Sequence, residues 1–201
     1  IILSDITTAF TEQIDSVENI ENVTWSFAGD AQQSAESGAE LGIALMIGIA
    51  LMIGVLVFQF DSIRNTIFII SVVPLGLIGV LLGLFFFAQT ISFTAMLGFV
   101  ALTGIVVNNS IILIDVITSL QKQNNLSHKD IVVEGSVSRI RPILLTTVTT
   151  VAGMVPLLFT SPVWKPLALA IITGLLFAVV LTLFLIPFLF YKWGRRIKNY
   201  Q

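Results

Sequence analysis

The chain has 201 residues, 56% of them hydrophobic and only 11% charged, with a formal net charge of −2. Soluble domains carry roughly 25% charged residues, so this balance excludes an ordinary water-soluble globule and makes the lipid bilayer the first expected partner. With no cysteine, a disulfide framework and a thiolate metal site are also excluded.

Residues 1–40 are polar and acidic. They hold Asp5, Glu12, Asp15, Glu18, Glu21, Asp30, Glu36 and Glu40 and not one Lys or Arg. Val23-Thr-Trp-Ser-Phe-Ala28 alternates like a strand. A short strand is not stable alone, so this stretch reads as a short external α/β remnant, the end of a larger soluble region. The chain opens on Ile1 rather than Met, with neither a basic n-region nor an apolar h-region, so a piece of a longer protein is expected.

The apolar part, residues 41–191, divides into five spans at about 41–60, 66–88, 91–117, 142–159 and 167–191. Each is near the roughly 20 residues that cross a bilayer, so the predicted fold class is an all-α integral membrane bundle of five transmembrane helices. Gly42, Gly48 and Gly54 in the first span suit a membrane helix better than a soluble one. Pro74 is expected to kink the second span, where Gly79 and Gly83 offer a smooth surface for close packing.

The third span lies in Ile91–Ile117, a run without Lys, Arg or Glu that nevertheless carries Asn108, Asn109 and, near its end, Asp115. Buried amides are costly without partners, and a polar cluster inside a span is a site hypothesis by default. The long polar connection Ser119–Arg141 holds the only histidine, His128, which reads as a solvated loop residue. Ser127 and Asp130 mark a helix start there, either a short helix lying on the membrane surface or a solvated loop helix. Arg141-Pro142 then reads as the first turn of the fourth span. In that span Thr146, Thr149, Thr150 and Gly153 share one helix face, expected to be turned toward other helices either as packing groups or as a polar relay. Residues 192–201 form a basic tail.

Nine of the ten Lys and Arg fall on one side of this five-span plan, with Lys165 alone on the other. The excess of cations belongs in the cytoplasm, which puts the carboxy terminus inside and residues 1–40 outside. Trp164 on one side, with Tyr191 and Trp193 on the other, fits interfacial anchoring.

Several segments resemble one family. Gly104-Ile-Val-Val-Asn-Asn-Ser-Ile-Ile-Leu-Ile-Asp115 is similar to the tenth membrane helix of resistance-nodulation-division (RND) permeases, and Arg139-Ile-Arg-Pro-Ile-Leu-Leu-Thr-Thr147 to the start of the eleventh. Phe58-Gln-Phe-Asp-Ser62, Val73-Pro-Leu-Gly76, and Gly174-Leu-Leu-Phe177 through Leu185-Ile-Pro187 resemble the eighth, ninth and twelfth. The resemblance covers about Trp25 to Tyr191 and implies the carboxy-terminal half-bundle of an efflux permease of the acriflavine-resistance type, driven by protons and exporting hydrophobic or amphiphilic compounds. It also implies a multi-pass protein of the bacterial inner membrane, a homotrimer joined to a periplasmic adaptor and an outer-membrane channel. The proton-carrying acids would lie on the amino-terminal half of the same permease. By position, Arg139 matches the family's relay arginine and Thr146 its relay threonine. In the best-known drug pumps a lysine precedes the Asn that matches Asn109; Asn108 stands there in this chain. The ion-coupling candidates are therefore Asn108, Asn109, Arg139 and Thr146, with Asp115, Thr149 and Thr150 as secondary polar positions.

The rival readings are a relative sharing the fold, such as a protein-export accessory subunit or a lipid exporter, and a sterol-sensing-type receptor domain. No Gly-rich phosphate loop, metal-ligand spacing or nucleophile–base pair is present, so neither an enzyme, a cofactor, a metal nor a nucleic-acid partner is expected.

Overall fold

The computed structural model describes residues 30–123 and 127–194. Seven helices occupy them: α1 Asp30–Phe60, α2 Ile63–Ile70, α3 Val72–Phe86, α4 Phe93–Gln123, α5 His128–Met154, α6 Leu157–Thr160 and α7 Lys165–Trp193. They group into five runs long and apolar enough to cross a membrane: Ser37–Phe60, Ile63–Phe86, Phe93–Lys122, His128–Thr160 and Lys165–Trp193. Hydrocarbon gives backbone N–H and C=O groups no partner, so a spanning segment must satisfy them internally as a helix. No strand occurs among the described residues. The one expected over Val23–Ala28 lies outside them, as does the tail from Arg195 onward.

The second span is broken between α2 and α3 at Ser71. Pro74 explains the break, because it has no N–H to offer the Ile70 carbonyl four residues earlier and its ring crowds that turn. Ser71 turns its own hydroxyl back onto the Phe68 carbonyl at 2.7 Å. The chain leaves α3 through Ala88, at a φ of 49°. Gln89 N donates to Leu84 O at 2.9 Å and Ala88 N to Phe85 O at 3.1 Å. That pair of bonds is the Schellman closure of a helix end.

The fourth span departs from the expected plan. Pro142 does not open a helix; it lies inside α5, which runs unbroken from His128 to Met154. The segment expected as a separate surface helix is the first part of the same rod. Ile131, Val132 and Gly135 bury themselves, and a Cβ placed on Gly135 would meet Ile117 Cγ1 of α4 at 2.8 Å. This burial holds the helix straight through a proline whose ring stays exposed. His128 is likewise no solvated loop residue. Its half-buried ring lies against Phe190 and Tyr191, with centroids 6.3 and 6.0 Å away, and Gln121 Nε2 is 3.3 Å from its Nδ1. The α4–α5 hairpin folds back onto the end of α7, which spacing in the sequence does not reveal.

The bundle is centred on α7, which packs against α3, α4 and α5. The α3–α7 seam depends on missing side chains. A Cβ on Gly79 would lie 2.6 Å from Phe177 Cβ, one on Gly83 would fall on Thr173, and one on Gly174 would fall on Leu102 and lie 2.7 Å from Val80 Cγ2. Backbones approach this closely only across small residues, as expected for Gly79 and Gly83. Gly42, Gly48 and Gly54 on α1 face open space. α1 packs against α2 and α4 and leaves most of its apolar surface bare, Met46 being 73% and Phe58 92% exposed.

Candidate functional site

Neighbouring residues on a helix point about 100° apart, so the two amides of α4 have different fates. Asn108 is exposed, while Asn109 is 6% exposed, turned into the bundle, and its Nδ2 has no hydrogen-bond partner. Gly104, Asn108 and Asp115 are all exposed and fall within about 40° of one another around α4. A Cβ on Gly104 would meet nothing within 4 Å, so the stripe runs along an open face. Asn109 does not share it but is turned into the bundle.

The depth of α5 against α4 follows from one contact. Gly135 sits on Ile117, its hypothetical Cβ 3.3 Å from Ile117 Cα. The two helices are antiparallel, so each step along α5 from Gly135 is level with one step back along α4 from Ile117. Arg139 then stands within two residues, about 3 Å of rise, of the level of Asp115. Thr146 stands within the same distance of the level of Asn108. The result is two depths about 10 Å apart that carry polar residues on both helices: that of Asp115 and Arg139 toward the basic end, and that of Asn108 and Thr146 nearer the middle of the spans.

The hydroxyls of α5 all turn back onto their own helix. Thr146 Oγ1 donates to Ile143 O at 2.9 Å, Thr149 Oγ1 to Leu145 O and Thr146 O at 3.0 Å each, and Thr150 Oγ1 to Thr146 O at 2.8 Å. Such bonds satisfy a threonine in a span without another helix. Thr146 and Thr149 are exposed in this chain and Thr150 is half-buried, so the face expected to meet other helices is open among the described residues. The threonine packed inward is Thr147, 4% exposed, with Oγ1 on Ile143 O at 2.7 Å. It lies one turn beyond Ile143 on the buried side of α5, a pattern the sequence contains but the polar residues around it obscure. Four more buried polar residues were not singled out from the sequence, Thr66, Thr103, Ser110 and Thr182. Ser110 on α4 is bonded to Val106 O at 2.9 Å, and Thr182 on α7 is 2% exposed with its hydroxyl unpartnered.

Chemically, the exposed stripe of α4 offers one carboxylate and an amide that both donates and accepts, while α5 carries a half-buried cation and hydroxyls at the same two depths. None of these is a nucleophile paired with a base. A second feature lies toward the other end of the bundle. A groove of about 270 Å³ between α1, α3 and α4 is lined by Leu41, Leu45, Leu77, Leu81, Met96 and Phe99 among other apolar side chains.

The chain matches the model of the AcrB/AcrD/AcrF family over residues 1–193. It is 32% identical over 190 residues to the swarming motility protein SwrC of Bacillus subtilis (strain 168), covering 92% of this chain and 18% of that protein. It is 33% identical over 203 residues to the multidrug resistance protein MdtC of Pectobacterium atrosepticum, covering 98% of this chain and 20% of that protein. Two crystal forms described as a heavy metal efflux pump superpose with TM-scores of 0.74 and 0.71, at 31% and 27% identity, over 94% and 96% of this chain and 19% of each of those. The chain thus spans about a fifth of the length of these relatives.

Proposed function

Because the chain belongs to the AcrB/AcrD/AcrF family and is a membrane part of an RND efflux permease, we propose that it supplies one half of the ion-coupling core of a proton-driven exporter. The observation that carries this reading is the open stripe Gly104–Asn108–Asp115, set level with Arg139 and Thr146. Polar groups in a span are retained where they face a bundle interior or each other, and among the described residues no helix covers this stripe. The amino-terminal half of the same permease is its natural cover. Carboxylates on that half would accept from Arg139, the Asn108 amide and the Thr146 hydroxyl. An amide cannot form an ion pair, so Asn108 acts by hydrogen bonding, and Arg139 supplies the positive charge. Asn109 takes no part at this face. Asp115, Thr149 and Thr150 set the polarity of its edges.

The cargo this reading favours is hydrophobic or amphiphilic. The groove between α1, α3 and α4 is lined by apolar side chains, the chemistry that admits a hydrocarbon chain or ring. A metal cargo, as for the pump that superposes on this chain, would have to be held elsewhere. No three His, Cys, Asp or Glu side chains converge as metal ligands among the described residues. The cation distribution favours a carboxy terminus in the cytoplasm, and the family carries the proposal of a bacterial inner membrane. The family also carries the proposal of a homotrimer joined to a periplasmic adaptor and an outer-membrane channel.

The test is Asn108→Leu in the full-length permease, measured for expression and for export of an amphiphilic dye across pH. Normal expression with impaired export and a displaced pH profile is the expected result. Wild-type export at every pH would remove Asn108 from the coupling machinery.

A further inference from the structure

Among the described residues four buried side-chain atoms have no partner, and two of them belong to residues that are themselves fully inside the bundle: Asn109 Nδ2 on α4 and Thr182 Oγ1 on α7, beside the half-buried Thr118 Oγ1 and His128 Nε2. Asn109 and Thr182 are 6% and 2% exposed. Leaving such a group unmet in a spanning bundle is costly, and a buried polar atom without a partner calls for a cause.

Three contacts fix where these two groups lie. Leu102 of α4 is level with Gly174 of α7, on which a Cβ would strike it, and Gly76 of α3 is level with both Leu102, at 3.5 Å, and Ala178, at 4.0 Å. α4 and α7 run parallel, so Asn109, seven residues past Leu102, is level with the Leu181–Thr182 turn. α3 runs antiparallel to both. Seven residues back from Gly76 is Ile69, level with Asn109, and four residues back is Val72, level with Thr182. The two donors therefore lie at the depth of the break between α2 and α3, within about 5 Å of rise.

That break supplies the complementary atom. Pro74 cannot donate to the Ile70 carbonyl, so an acceptor is freed at the depth where two donors lack one. Irregular backbone is tolerated at membrane depth only where it is buried in protein or lines a polar cavity, and Ile69 and Val72 on either side are fully buried.

We propose that the α2–α3 break holds a bound water molecule, which accepts hydrogen bonds from Asn109 Nδ2 and Thr182 Oγ1 and donates one to the Ile70 carbonyl. Buried waters typically make about three hydrogen bonds to groups otherwise unsatisfied, and this set matches that number and sense. A bound cation is disfavoured by the same atoms, since Nδ2 turns hydrogens toward the site. The water joins α4 and α7 to the one broken helix. It lies on the side of α4 away from the Asn108 stripe and is independent of that stripe's role.

The experiment is a density map of the full-length permease at a resolution that shows ordered water. The expected result is one peak about 2.7–3.2 Å from Asn109 Nδ2, Thr182 Oγ1 and Ile70 O. Thr182→Val, which keeps the shape and deletes a donor, loses the peak. So does Pro74→Ala, which gives Ile70 its N–H partner. X-ray hydroxyl-radical footprinting provides a second readout: oxidation at Ile69 and Ile70 drops in Thr182→Val while other core positions are unchanged. The proposal is overturned by a direct Asn109–Thr182 hydrogen bond with no peak between them. It is equally overturned by a peak at the roughly 2.3–2.6 Å of a metal–oxygen bond, or by footprinting identical in wild type and Thr182→Val.

Discussion

Ala88 turns the chain out of α3 in the left-handed region, at a φ of 49°. An L-residue with a Cβ is strained there by about 1–2 kcal/mol, and glycine is not. Ala88→Gly therefore raises stability by about 1 kcal/mol, read as a higher melting temperature in detergent, provided the Gln89–Leu84 bond keeps its geometry. Gly104 is the opposite case. A Cβ there meets nothing within this chain, so Gly104→Leu leaves the stability of the described bundle unchanged. Docking of the other half against the open stripe then suffers by about 1–3 kcal/mol, the usual cost of overpacking. Export by the full permease, assayed at matched expression, is expected to fall; unchanged export would mean no helix approaches that face. At this scale the sequence was only partly legible. That Asn108 and Asn109 are the candidates to look at follows from an amide pair inside an apolar run. Which one faces outward does not, because the span is apolar on all sides and its neighbours set no preferred face. His128 was misread for a similar reason, since its partners Phe190 and Tyr191 come from a helix more than sixty residues away.

Between elements, the α3–α7 seam is the tightest contact. Gly83→Val drives a branched side chain into Thr173 and is expected to cost about 1–3 kcal/mol or more. Gly48→Val on α1, where nothing lies within 4 Å, serves as the control and should melt like the wild type. Equal loss in both would show that intrinsic helix effects, not the seam, set the cost. The glycine spacing made this seam legible from the sequence. The continuity of α5 through Pro142 was not, because proline next to arginine reads locally as a helix start. The burial of Ile131, Val132 and Gly135 against α4, a tertiary effect, overrides the local signal.

For the molecule as a whole, composition alone decides the solvent. The count of spans follows from the lengths of the apolar runs, and five such runs stand in the structure. The direction of insertion is testable with single cysteines in a chain that has none. Ser127→Cys should be shielded from an impermeant reagent in intact cells and Asp30→Cys should react. Equal external labelling at both positions would refute the orientation drawn from the cation distribution.

The central place of α7 also has a consequence in time. It is the last of the five spans to leave the ribosome, yet it completes the packing of α3, α4 and α5. At about 5–20 residues per second, the chain between the end of α4 and the end of α7 takes several seconds to make. During that interval the glycine face of α3 has no partner from this half, and the bare notches at Gly79 and Gly83 must be filled by lipid or by a translocation factor. The last closure of this half of the bundle therefore comes late. A ribosome stalled before Lys165 would hold helices already in contact through α4 but still missing the seams that α7 completes.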